Sequence, residues 1–123
     1  MDKEELKARS KRFSVRITIL VDNLPNVLTA KMIAGQLIRS ATSVGANYRA
    51  ACRAKSRRDF INKLKTVEEE TDETLFWLEL IEERAFIPRG KLRNLIQEAE
   101  ELLAIFVASL KTAKSNARLE NRK

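Results

Sequence analysis

The stretch "QLIRSATSVGANYRAACRAKSRRDF", residues 36–60, decides the fold. Leu37, Ala41, Val44, Tyr48 and Ala51 recur every three or four residues. That spacing belongs to a helix burying one face. With Ile33 added, the stripe predicts a helix over residues 27–53. A second stripe of Gln36, Ser40, Ser43 and Asn47 runs beside it at the same spacing. A mid-helix glycine costs about 1 kcal/mol against alanine. Gly35 and Gly45 therefore predict close approach by a neighbouring helix. From Arg49 onward the stretch turns cationic.

Outward from this helix, Pro25, Pro88 and Gly90 punctuate the chain. The residue before a proline disfavours the helical region, so "DNLPN" ends a segment. The segment before it, about 3–23, repeats Leu6, Phe13, Ile17, Leu20 and Leu24 at helical spacing. Its "VRITILV" is rich in β-branched residues, but no second strand is available to pair with it. A third helix is predicted over 57–85, with Phe60, Leu64, Val67, Thr71, Thr74, Leu78 and Ile81 on one face and Trp77 at its edge. Ser56 stands as its N-cap, with Asp59 at the capping-box position. A fourth is predicted over 88–115, with Pro88 in its first turn. Its face reads Leu92, Leu95, Ala99, Leu102, Phe106, Ser109 and Ala113. The polar residues 116–123 read as a frayed tail. Helices joined by short connections predict one all-α domain, an antiparallel up-down-up-down four-helix bundle.

Bulk composition agrees. In 123 residues there are three Gly and two Pro, too few turn-formers for a sheet protein. The formal charge is +7, which favours polyanions through counterion release. Histidine is absent and Cys52 is the one cysteine. The commonest general base, the usual zinc sites and histidine-dependent helical RNases are thereby excluded. Cys52 lacks a base to activate it and reads as a small helix residue. No cofactor, metal or small-molecule substrate is expected. The charged start resembles no signal peptide and no apolar run reaches membrane-spanning length, so a cytoplasmic protein without membrane contact is expected.

Charge is segregated. Residues 49–65 hold seven cations (Arg49, Arg53, Lys55, Arg57, Arg58, Lys63 and Lys65) against Asp59. Residues 68–83 hold eight anions and no cation. Both chain ends are basic: six cations against three anions in the first 16 residues, five against one in the last 13. The order within the third helix opposes its macrodipole, at tenths of a kcal/mol per exposed charge, so local stability does not explain it. Either these are solvated faces that differ in sign, or the basic end of one subunit meets the acidic face of the next.

Glu70 lies on or near the core face, and a buried carboxylate needs a partner. Arg39 is the only cation in the central span of the second helix. Arg39 is thus predicted to pair with Glu70 or Glu73, with Gln36 or Asn47 completing the network and Ser43 beside it. An acid–base pair of Glu70 and Glu73 is the weaker reading, because no nucleophile, metal site or phosphate loop accompanies it.

The pattern Gln36, Arg39, Ser43, Asn47, then Ser56, Asp59, Phe60, Lys63, then Glu70, Glu73, Thr74, Trp77, Leu78 has a counterpart. With Leu24-Pro25, it resembles the S23-type bacterial proteins encoded in intervening sequences of 23S rRNA genes. The resemblance covers about residues 13–114. It implies a homopentameric ring with a central channel, a basic surface facing nucleic acid, and no enzymatic activity. A related branch resembles the accessory protein of diversity-generating retroelements, which implies a reverse transcriptase as protein partner. Many relatives carry an acidic residue where this chain has Ala50, so the patch from Arg49 to Arg58 is more positive here.

Two expectations follow for function. In one, an oligomer binds structured RNA or an RNA/DNA hybrid through Arg49, Arg53, Lys55, Arg57, Arg58, Lys63, Lys65 and the terminal cations. Tyr48 is the one aromatic near enough to stack on a base, and its spacing assigns it to the core. In the other, the charged surfaces serve subunit contacts and a protein partner.

Overall fold

Residue periodicity is converted into four helices: α1 (Lys3–Val21), α2 (Leu28–Cys52), α3 (Arg57–Glu83) and α4 (Arg89–Asn121). The structure, a computed structural model, describes residues 1–122. α2 packs on α1 and α3, and α4 closes the ring of neighbours between α3 and α1. The result is the up-down-up-down bundle, with no strand among the described residues. The β-branched run of α1 is helical because Phe13, Ile17 and Leu20 bury one side of it.

The core joins the predicted stripes. Phe13, Ile17, Leu37, Val44, Leu64, Leu78, Leu102 and Phe106 are among the fully buried side chains. Tyr48 is buried against Phe106, with ring centroids 5.6 Å apart. Its hydroxyl pKa is driven upward, first by burial and then by Cys52, so the phenol stays neutral. On α4, Leu110 and Ile96 are buried, while Ser109 is only half-buried.

Helix boundaries differ from expectation where local chemistry intervenes. α3 stops at Glu83 because Ala85 takes a left-handed φ of 54°. The Phe86 N–H then donates to the Ile81 carbonyl, which closes the helix end. α4 does not fray at 115: residues 116–121 continue the helix, and the Arg57 guanidinium donates to Glu120 at 2.5 Å. Lys123 lies outside the described residues.

Three side-chain devices fix the seams. Between α1 and α4, Arg9 donates to both Glu98 oxygens, at 2.8 and 2.6 Å, and to Glu101 at 3.2 Å. The Glu98 hydrogen bonds are the main reason the Arg9 pKa rises further. Between α1 and α2, the Ser14 hydroxyl donates to the Ala41 carbonyl at 2.7 Å. A Cβ on Gly45 would lie 2.7 Å from that hydroxyl and 3.4 Å from the Ser10 carbonyl. Gly45 thus permits the close approach expected of it. Gly35 does not share this role: it is exposed and a Cβ there would meet nothing within 4 Å. Between α2 and α3, the buried hydroxyls of Ser40 and Thr74 share a hydrogen bond of 2.9 Å.

Candidate nucleic-acid interface

The alternating helix directions carry the functional consequence. The start of α1, the end of α2, the start of α3 and the end of α4 all lie at one end of the bundle. Contacts across that end are direct. The Lys3 ammonium sits 4.5 Å over the Phe60 ring, and Arg57 reaches Glu120. The basic termini and the basic run 49–65 therefore meet in space, although they are distant in sequence.

The corner between α2 and α3 is built from a capping motif. Ser56 is extended at the N-cap, and its hydroxyl accepts from the Asp59 N–H at 3.1 Å. Asp59 reaches back, accepting from the Lys55 N–H at 3.3 Å. It also accepts from the Lys63 ammonium at 2.5 Å. That Lys63 bond is the main cause of a lowered Asp59 pKa. So the one anion of the run is spent on the turn that presents its cations.

Arg49, Arg53, Lys55, Arg58 and Lys65 are exposed and form no salt bridge among the described residues. Arg57 and Lys63 are held by Glu120 and Asp59 respectively. Arg58 and Lys65 line a surface cleft with Ile61, Asn62 and Ala117 at the α3–α4 seam. Phe60 is half-buried beneath Lys3 and Tyr48 lies in the core, so neither offers an open stacking face.

The polar network expected at mid-bundle divides into two. The Arg39 guanidinium bridges α2 to α3, donating to Glu70 at 3.0 Å and, by a very short bond, to Glu73. Gln36 accepts from its Nε at 3.5 Å. Asn47 stands apart: its amide donates to the Ser43 hydroxyl at 2.7 Å and the Ser43 carbonyl at 3.0 Å, within α2. Arg39 is half-exposed and Glu70 is less so, which places this cluster on the seam and not in the core. Such a bridge ties two helices together and leaves neither carboxylate positioned against a reactive group.

Sequence reasoning missed the Arg9 clamp and the placement of Lys3 on Phe60. Arg9 and Glu98 are 89 positions apart and no periodicity links them. Lys3 sits among the basic residues of the N-terminus with nothing local to single it out.

The family model of the 23S rRNA-intervening sequence proteins matches residues 3–108, the whole of α1 to α3 and more than half of α4. The chain belongs to that family. A crystal structure of a protein of unknown function from the S23 ribosomal protein family of Bacteroides thetaiotaomicron is similar, at 36% identity and a TM-score of 0.81. The match covers 90% of this chain and 99% of that one. No curated protein matches. For this member of the intervening-sequence family, no described helix is long and apolar enough to cross a membrane.

Proposed function

We propose that this intervening-sequence family protein is a non-catalytic cytoplasmic oligomer that binds structured nucleic acid through its basic end. The observation that supports the reading is the convergence of three basic chain segments on one end, where five cations of the 49–65 run make no salt bridge among the described residues. Unpaired, exposed guanidinium and ammonium groups lose little on meeting phosphate and release counterions when they do. With Tyr48 and Phe60 withdrawn, recognition is by charge and shape, not by base identity. The family resemblance implies a pentameric ring, which would repeat this surface around one axis and multiply a weak contact.

Filter-binding to rRNA fragments across salt concentrations tests the reading. If those five cations each neutralise one phosphate, log K falls against log salt with a slope of roughly −3 to −5. No binding at low salt, or a flat salt dependence, rejects it. A second reading, an accessory scaffold for a protein such as a reverse transcriptase, draws on the acidic and apolar face of α3. Charge reversal at Arg57 and Arg58 separates the two: lost assembly with RNA binding intact favours the scaffold.

A further inference from the structure

One face of α3 points away from the core, with Phe76 at its centre set edge-on to Trp77, ring centroids 5.1 Å apart. Glu69, Asp72, Phe76, Glu79 and Glu83 are exposed at three- and four-residue spacing. None of the four acids makes a salt bridge among the described residues. Phe76 is 52% exposed among them. Aromatic rings, phenylalanine included, are enriched in the buried centres of protein contacts.

A matching surface lies on α1 and α2. The two helices approach closely at Gly45 and leave a groove of ≈ 450 Å³ with Ala8, Gly45 and Ala46 in its wall. Lys7, Lys11 and Arg49 rim it, with Glu4 among them paired to Lys7 at 3.2 Å. Farther along this face stand Val15, 48% exposed, and Ile38, 40% exposed, and then the exposed Lys31. Lys11, Arg49 and Lys31 make no salt bridge among the described residues.

The two surfaces share an axial scale. The Ser40–Thr74 hydrogen bond fixes the level of α2 against α3. Two residues beyond Thr74, Phe76 stands level with Ile38, two residues before Ser40. By the same count Glu69 stands level with Gly45, whose Cβ position borders Lys11, and Glu83 stands level with Lys31. Two parallel copies side by side, without axial shift, would therefore place acids on cations at both ends and Phe76 on apolar side chains between. Lys65 falls level with Arg49, so the match begins at Glu69 and leaves that basic corner to the polyanion. Zero axial shift is what closure into a ring requires, whereas a filament tolerates a shift.

We propose that the α3 stripe centred on Phe76 docks against the α1–α2 face of a second, parallel copy of this chain. The contact is heterologous: two different faces meet, and each copy has one of each free for the next. The proposal rests on the oligomeric part of the function given above and not on its nucleic-acid part.

The test uses the full chain with Cys52→Ser. Copies carrying Ile38→Cys are mixed with copies carrying Phe76→Cys and treated with a short bis-maleimide. Cross-linked dimers are expected in the mixture and in neither variant alone. Self-cross-linking of either variant would mean that like faces meet, and it overturns the proposal. So does an oligomer by light scattering that gives no mixed cross-link, although that result leaves the oligomeric reading standing. A monomer overturns both. As a second arm without cysteines, Glu69→Lys with Asp72→Lys should weaken self-association by about tenfold or more. Copies with Lys11→Glu should restore association with that variant, and failure to restore it counts against the contact. Arg58→Glu, outside the proposed contact, should lower polyanion binding and leave the mixed cross-link unchanged.

Discussion

The two halves of the segment from residue 36 to residue 60 obey different rules. Its first half supplies bundle interior, where Leu37, Ala41, Val44 and Tyr48 are buried and Arg39 and Ser40 are bonded to α3. Its second half is a corner, where cations stand exposed around one carboxylate committed to the turn. The interior is determined by volume and hydrogen bonding, so substitutions there change how much protein folds. The corner is determined by charge, so substitutions there should change what the folded protein holds. The two halves adjoin because α2 ends, and α3 begins, where the bundle gathers its other basic segments.

The largest effect is expected deep in the interior. Phe106→Ala removes a fully buried ring packed on Tyr48, and should destabilise the fold by about 3–5 kcal/mol. Denaturant titration reads the loss, while polyanion binding per folded molecule should stay at the wild-type level. A change in intrinsic binding would blur the separation between the two halves.

The two glycines of α2 sharpen the comparison. At Gly35 a methyl group meets open space, so Gly35→Ala should stabilise by up to about 1 kcal/mol through helix propensity. At Gly45 the same methyl displaces the Ser14 hydroxyl from its bond to Ala41, and the gain should become a loss of about 1 kcal/mol. Adding Ser14→Ala to Gly45→Ala should recover much of that loss. Thermal unfolding of the three variants decides it. Equal effects at the two glycines would mean that the α1–α2 seam is not close-packed.

A smaller effect lies at the corner itself. Asp59 has its pKa lowered chiefly by Lys63, so its ionised form is favoured in the fold. A carboxyl of that kind stabilises above its unfolded pKa, and the contribution fades as pH falls through the folded value. The melting-temperature difference between wild type and Asp59→Asn should thus be widest near neutral pH and close in acid below the carboxylate range. A gap that widens in acid would assign Asp59 a different partner.

Much of this was legible in the sequence, for reasons that differ by residue. The stripes of α2 and α3 named the buried residues because helical periodicity and burial are the same signal. Arg39 found Glu70 and Glu73 because one cation faced two acids on adjacent antiparallel helices. Ends were harder. Ala85 carries no mark of its left-handed backbone, and residues 116–121 look like a tail until Arg57 is seen beside Glu120. Gly35 and Gly45 were indistinguishable without the neighbouring helix. The basic runs were plain as numbers, but their meeting at one end is a property of the topology and not of any run.

The most direct test of the basic end is the double variant Arg53→Glu with Arg58→Glu, compared with wild type in a salt series on structured RNA. Both positions are exposed and lack salt bridges among the described residues, so the melting temperature should hold within a degree or two. Binding at low salt should fall by at least about tenfold, and the slope of log K on log salt should flatten by roughly 2. Unchanged affinity and slope in a fully folded variant would show that the polyanion, if one is bound, lies elsewhere on the protein.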